Sequence, residues 1–283
     1  MKNICVCGAG TMGSGIAQVS AAAGFNTVLF DVAEAAVQKA EEKLRGDLAA
    51  LVGKGKLTEE KKDAILSKLQ FTADTTQCKA DVIIEAIVEK PEIKIALFNQ
   101  LADINSPQTI FASNTSSLSI SALAKEIKNP ERFAGLHFFN PAPVMKLVEV
   151  VKGERTSAET MQRLLELTKA FGKMPVVCKD SPGFVVNRVA RPYYIEALRL
   201  VEEGKADYAT VDRLLEGLGF KMGPFKLMDL IGNDVNYAVS CSVYEQLNKP
   251  ERLKPSYLQK EKVEASHLGK KSGKGYYDYS LIG

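Results

Sequence analysis

The chain has 283 residues, 46% of them hydrophobic and 25% charged, with a formal net charge of +3. That is enough for one large domain or two ordinary ones with a sizeable core, and the weak positive balance gives no reason to expect a nucleic-acid partner. Five cysteines (Cys5, Cys7, Cys78, Cys178 and Cys241) and only two histidines suggest neither a disulfide framework nor a metal site, so the thiols are expected to be reduced and in or near the core.

The opening stretch, "MKNICVCGAG", reaches its glycines too soon for a signal peptide. No apolar run is long enough to span a membrane, so the expected location is the cytoplasm, or an organelle matrix had a presequence been removed. "NICVCG" reads as a short strand, residues 11–23 as a small-residue helix, and "NTVLFD" as a second strand ending at Asp31. Residues 33–52 form a long helical pattern with Leu44, Leu48 and Leu51 on one face. "GKGK" then makes a basic turn before Thr58, a good N-cap for a further helix, so a helical hairpin is inserted here. Strand patterns resume at "ADVIIEA", "TIFASN", "FAGLHFF", "KLVEVV" and "MPVVC", with helices between most of them, notably over 91–102 and 157–171. Such alternation predicts an α/β fold with a doubly wound, Rossmann-type sheet.

The character changes at "KDSPGFVVNR", where Ser181 reads as an N-cap and Pro182 as the first helical residue. Helices are expected over about 183–203, 208–217, 224–247 and 255–265. The division is therefore a sheet domain over 1–182 and an all-helical domain over 183–283.

In "ICVCGAGTMGSG", Gly8, Gly10 and Gly13 follow a strand and open a helix. In that context GxGxxG binds a dinucleotide: Gly8 permits a tight turn, Gly10 lets backbone approach a pyrophosphate, and Gly13 lets helix and sheet pack closely. Helix N-terminal amides favour the phosphates. Asp31 stands about 20 residues further on, where a carboxylate accepts from ribose hydroxyls and repels a 2′-phosphate, so NAD is the expected cofactor.

His137 and Glu149 lie in "GLHFFNPAPVMKLVEVV". A carboxylate flanked by leucine and valine is costly to bury without a partner. The Pro141/Pro143 turn separates two strand patterns that could bring Glu149 to His137. The pairing would fix the imidazole tautomer and raise its basicity, leaving the other ring nitrogen for proton transfer.

"EAIVEK", "ASNTSSL", "HFFNPAPVMKLVEVV", "DSPGFVVNR", "MGP" and "GKKSGKGYYDY", in this order after the glycine loop, together resemble the short L-3-hydroxyacyl-CoA dehydrogenase family along essentially the whole chain. The resemblance implies an NAD-binding domain, a helical dimerisation domain and oxidation of 3-hydroxyacyl-CoA. It implies His137 as catalytic base, Glu149 as its orienting partner, Ser116 as the group bonding the substrate oxygen, and Asn187 as holding substrate and His137. Glu89 and Lys94 resemble family cofactor contacts, and Thr11, Met12 and Asn114 are counted with them. From the residues alone, Ser116 and Ser117 read equally well as caps of a helix starting near Ser119 or Ser121, Asn187 as helix surface, and Glu89 to Lys94 as a solvated helix start.

An acyl-CoA substrate brings phosphates, and Lys54 and Lys56 at the hairpin tip are candidates to meet them, although a solvated turn is an equal alternative. Leu227, Leu230, Ile231, Val235, Ala238 and Val239 form an apolar stripe, by default intrachain core but, with the family resemblance, a homodimer interface. Tyr276, Tyr277 and Tyr279 are expected to anchor the tail, with His267 structural. Competing readings are an NAD-dependent dehydrogenase of hydroxyadipyl-CoA, one of free hydroxyacids or sugar acids, and a non-catalytic NAD-binding protein.

Overall fold

The structure, a computed structural model, describes residues 1–280. The chain divides into two units, Met1–Asp180 and Ser181–Gly283, the last three residues lying outside the described ones.

The first unit runs β1 (Asn3–Cys7), α1 (Thr11–Ala22), β2 (Asn26–Phe30), α2 (Glu34–Gly53), α3 (Glu59–Leu66), β3 (Leu69–Thr72), β4 (Val82–Glu85), α4 (Pro91–Ile104), β5 (Ile110–Ser113), α5 (Ile120–Ala124), β6 (Phe133–Phe138), β7 (Leu147–Lys152), α6 (Ala158–Ala170) and β8 (Met174–Lys179). These strands form one sheet in the order β3-β2-β1-β4-β5-β6-β7-β8. Neighbours are parallel except β6 and β7, which are antiparallel. The central strands are continuously apolar because helices cover both faces. Ile4, Val6, Leu29, Val82, Ile84 and Ile110 are wholly buried in the resulting core. Topology reverses between β1 and β4, and the glycine loop sits at that switch point, where open α/β sheets bind ligands.

Thr58 caps α3 by accepting from the Lys61 amide at 3.3 Å, so the inserted hairpin forms as its sequence suggests. The strand pattern had not marked β3. "LQFT" is four residues long, and Gln70 is exposed beside the buried Thr72 on this edge strand, too little periodicity to separate it from a loop.

The second unit contains α7 (Val186–Glu202), α8 (Tyr208–Gly217), α9 (Pro224–Ile231), α10 (Asn233–Gln246) and α11 (Tyr257–Glu264). Two expectations fail here. Ser181 does not cap a helix: Gly183 and Phe184 take φ of 73° and 48°, the Phe184 amide donates to the Ser181 carbonyl at 2.8 Å, and α7 starts only at Val186. The helix expected over 224–247 is broken at Gly232, whose φ of 106° ends α9 and begins α10.

The break accompanies a split of the expected stripe: Leu227 and Val239 pack against the unit's apolar clusters, while the other members turn outward. Leu230, Ile231 and Val235 are 51%, 41% and 47% exposed, while the polar Asp229, Asn233, Asn236 and Ser240 are buried. Asp229 is spent on the tail: it accepts from the amides of Tyr276 and Tyr277 at 2.9 and 3.0 Å and from the Tyr279 hydroxyl at 3.1 Å. Asp212 accepts from the Tyr277 hydroxyl at 2.7 Å and from the amides of Phe225 and Lys226, which starts α9. Tyr276 packs between Tyr208 and Phe225. The tyrosines thus anchor the tail, and His267 contributes its main-chain carbonyl to Asn233.

Candidate active site

The glycine loop leaves β1 at Gly8, where φ is +105° and a Cβ would stand 2.6 Å from the Ala86 carbonyl oxygen. A Cβ on Gly13 would stand 1.7 Å from the Gly8 carbonyl oxygen, so α1 must begin here without a side chain. Gly10 differs: a Cβ there meets nothing within 4 Å. Space therefore stays open above the loop at the residue whose backbone is expected to approach a pyrophosphate. Helix α1 has no side-chain cap and no acidic residue in its first turn, which leaves the leading amides, those of Thr11 and Met12 among them, to an anion. Asp31 follows β2 and accepts from the Ala9 amide at 2.8 Å and the Ala33 amide at 3.0 Å. It anchors the loop while its carboxylate keeps lone pairs for ribose hydroxyls. Loop, bare helix end and carboxylate together fit NAD.

Beside the loop lies a buried charge cluster. Glu85, at the end of β4, is 0% exposed and Lys94, in the first turns of α4, is 1% exposed. The Lys94 ammonium bonds Glu85 and stands 3.1 Å from Glu89. Glu85 also accepts from Ser113 Oγ at 2.6 Å and the Ile87 amide at 2.7 Å. Burial pushes the Glu85 carboxyl above the usual range, against the pull of Lys94. Glu89 is pushed the same way by burial, but Lys94 and the hydroxyl of Thr115 prevail and hold it below the ordinary value. Glu89 accepts from the Thr115 hydroxyl, the Ser116 amide at 3.1 Å and the Ser117 hydroxyl at 3.2 Å. Lys94 is therefore no solvated helix-start residue; it sits behind Glu89 and fixes it.

The loop after β5 is set by these bonds. Ser119, rather than Ser116 or Ser117, caps α5 by accepting from the Ala122 amide at 3.1 Å. Ser116 is half-buried, with its amide held by Glu89. Asn114 donates its amide to the Glu85 carbonyl at 2.7 Å and accepts at Oδ1 from the Phe138 amide at 2.8 Å. It thereby ties the end of β5 to the residue that follows His137.

His137 and Glu149 are directly opposed across the β6·β7 ladder. Nδ1 of His137 stands 2.8 Å from Oε2 of Glu149, with the residues 6% and 0% exposed. The Phe139 ring lies 4.5 Å from the imidazole, centroid to centroid. A tautomer with the proton on Nδ1 donates to the carboxylate and turns Nε2 into the basic nitrogen.

Not every expected residue joins this group. Lys54 and Lys56 are exposed at the turn after α2, around Gly55 with φ +66°. Asn187 belongs to the second unit, in the first turn of α7, where its carbonyl accepts from Arg191 Nε at 3.1 Å. Sequence reading missed Glu85, although an acidic residue ending an otherwise apolar strand in "ADVIIEA" carries the same signal that marked Glu149. Four cysteines are buried, Cys241 is half-buried, and none is in a disulfide. Among the described residues no group of side chains could hold a metal ion.

A strand-end glycine loop made for a dinucleotide, with a buried carboxylate–imidazole pair in the same sheet, defines an NAD-dependent oxidoreductase. The chain belongs to the 3-hydroxyacyl-CoA dehydrogenase family: the family's NAD-binding domain matches residues 3–181 and its C-terminal domain residues 183–279. It is 51% identical to the 3-hydroxyadipyl-CoA dehydrogenase of Escherichia coli (strain K12) over 99% of this chain, and spans 59% of that longer protein. It is 42% identical to the mitochondrial hydroxyacyl-coenzyme A dehydrogenase of Sus scrofa, covering 99% of this chain and 91% of that one. The solved (S)-3-hydroxybutyryl-CoA dehydrogenase of Ralstonia eutropha superposes with a TM-score of 0.94 at 40% identity, over 99% of both chains.

Proposed function

We propose that the protein catalyses the reversible NAD-dependent oxidation of L-3-hydroxyacyl-CoA to 3-oxoacyl-CoA. The observation that carries this reading is the 2.8 Å contact between His137 and Glu149. His137 takes the proton of the 3-hydroxyl at Nε2 and in the reverse direction returns it to the forming hydroxyl. Glu149 stabilises the imidazolium and keeps the ring in one orientation, as the carboxylate of a hydrolytic triad does. Bound NAD supplies the acceptor for the hydride leaving C3. Gly8, Gly10, Thr11, Met12 and Gly13 would hold its pyrophosphate and Asp31 its adenosine ribose, and Glu89, Lys94 and Asn114 would shape the nicotinamide end. Ser116 bonds the substrate oxygen, and Lys54 and Lys56 meet the phosphates of coenzyme A. Turnover of acetoacetyl-CoA with NADH tests the reading; no oxidation of NADH above a His137→Gln control would end it.

A second reading concerns the acyl chain only. The 51%-identical relative is a 3-hydroxyadipyl-CoA dehydrogenase, which sets a substrate with a terminal carboxylate beside hydroxybutyryl-CoA. Comparing kcat/KM for the two CoA esters decides between them.

The protein is further proposed to be a homodimer. The exposed apolar side chains of Leu230, Ile231 and Val235, on helices whose other face is already buried within the unit through Phe225, Met228 and Val243, are better covered than hydrated. Sedimentation of the intact chain reads this directly.

A further inference from the structure

We propose that Lys173 is a positioning residue for the proton-transfer pair, acting by gathering the carbonyl groups of the loop that joins His137 to Glu149. The proposal deepens the functional reading above and rests on it.

The loop over residues 139–146 connects β6 to β7 and so carries the chain from the histidine to the glutamate. Part of it satisfies itself: the amides of Val144 and Met145 both donate to the Pro141 carbonyl, at 3.0 and 2.9 Å. The carbonyls of Ala142, Pro143 and Met145 turn instead to one ammonium. Lys173 Nζ donates to them at 2.6, 3.3 and 2.8 Å. An ammonium has three protons, and here all three go to this loop.

Lys173 stands just before β8 and forms no ion pair among the described residues. Burial depresses its basicity. A half-buried lysine without a carboxylate, spending every donor on main-chain oxygens, holds a backbone shape rather than a charge balance. The opposite side of the loop is fixed as well: a Cβ on Gly15 of α1 would stand 3.1 Å from Ala142 Cβ and 3.2 Å from Pro143 Cδ. The loop is thus held between Lys173 and the helix that opens the dinucleotide site. Without the ammonium, the carbonyls of the exposed Pro143 and Met145 would turn to water, that of the buried Ala142 would lose its partner, and the three would no longer share one tether. The ladder would keep His137 opposite Glu149, but the turn leading out of the histidine's strand would be free to shift, and with it the ring's orientation against the carboxylate.

The test compares Lys173→Met, which keeps most of the apolar stem, with Lys173→Arg, which restores donors. Histidine-labelled protein gives the decisive readout: the Nδ1 proton of His137 in nitrogen-resolved NMR spectra, observed without substrate. In Lys173→Met this proton should exchange with solvent faster, kcat with acetoacetyl-CoA should fall about tenfold, the scale of a small misplacement at a reacting centre, and the dissociation constant for NADH should stay within about twofold. Lys173→Arg should recover most of both losses. If Lys173→Met melts earlier but keeps its kcat and a slowly exchanging Nδ1 proton, the lysine is structural only and the proposal falls. If Lys173→Met does not fold, Lys173→Gln, with two donors on a shorter stem, is read by the same criteria. The NMR measurement needs no turnover, so a chain inactive toward acyl-CoA would end the functional reading without deciding the clamp.

Discussion

Nδ1 of His137 and Oε2 of Glu149 meet at 2.8 Å because the two residues are register partners in the sheet's antiparallel pair. Replacing either should therefore damage the same step. In His137→Gln, kcat should fall by about 10²–10⁴-fold, the usual share of a general base. Glu149→Gln should give a loss approaching it, because the amide can bond the ring without stabilising its cation. Fluorescence titration with NADH should leave both variants close to wild type. Comparable turnover in Glu149→Gln and the parent chain would remove the glutamate from the mechanism.

The glycines of the loop should separate folding from cofactor binding. Gly13→Ala drives a Cβ into the Gly8 carbonyl, and about 2–4 kcal/mol of stability should be lost, visible as a lower melting temperature. Gly10→Ala meets only open space. Its melting temperature should be unchanged while NADH binds at least about tenfold more weakly, since the methyl occupies the approach to the phosphates.

Lys94 offers a pH-dependent prediction. Removing its ammonium by Lys94→Met leaves the wholly buried Glu85 without its cation, at a cost of about 3–5 kcal/mol near neutral pH. The folded-state pKa of Glu85 already lies above its unfolded value. Its neutral form thus favours folding at acid pH, and that contribution is lost as pH rises from the ordinary carboxylate range through the raised value. Loss of Lys94 lifts the upper end of this window. The gap in melting temperature between wild type and variant should be wider at pH 8 than at pH 5; an equal gap at both would show that Glu85 does not retain its charge.

Charge removal at the hairpin tip should be felt only by substrates with phosphates. Neutralising Lys54 and Lys56 together should raise KM for acetoacetyl-CoA by roughly 5- to 30-fold, as expected of two exposed charges worth about 0.5–1 kcal/mol each. The effect should shrink in high salt. KM for the N-acetylcysteamine thioester should not move; equal changes for both substrates would place the lysines outside the binding surface.

Val235→Arg puts a charge on the exposed apolar side of α10. The variant should sediment as a monomer with its helical content intact. A dimer of unchanged stability would mean that a different surface carries association.

How much of this was legible depends on whether a residue's signal is local. The dinucleotide loop is read from one short stretch, because sterics fix each glycine. Glu149 stood out because a carboxylate among valines demands a partner, and the nearby histidine supplied one. Lys94 was obscured by its setting: in "VEKPEIK" it has the composition of a solvated helix start, and only the fold shows Glu85 beneath it. Asp229 and Asp212 were equally opaque, since their donors lie 47 and 65 residues away on the tail. Gly232 interrupts an apolar period that continues on both sides, so the pattern ran straight through the break. The stripe around it was visible, but which side faced outward was settled by buried polar partners that periodicity does not weigh.

Asp31 closes off an otherwise simple evolutionary route. To accept a phosphorylated ribose, the obvious change is to discard this carboxylate. Yet its two oxygens also fasten the backbone at Ala9 and Ala33, so a variant freed of the repulsion would at once lose the tether of its own phosphate-binding turn. Choice of cofactor and integrity of the turn are inherited together, and a switch of preference would have to supply a substitute tether in the same step.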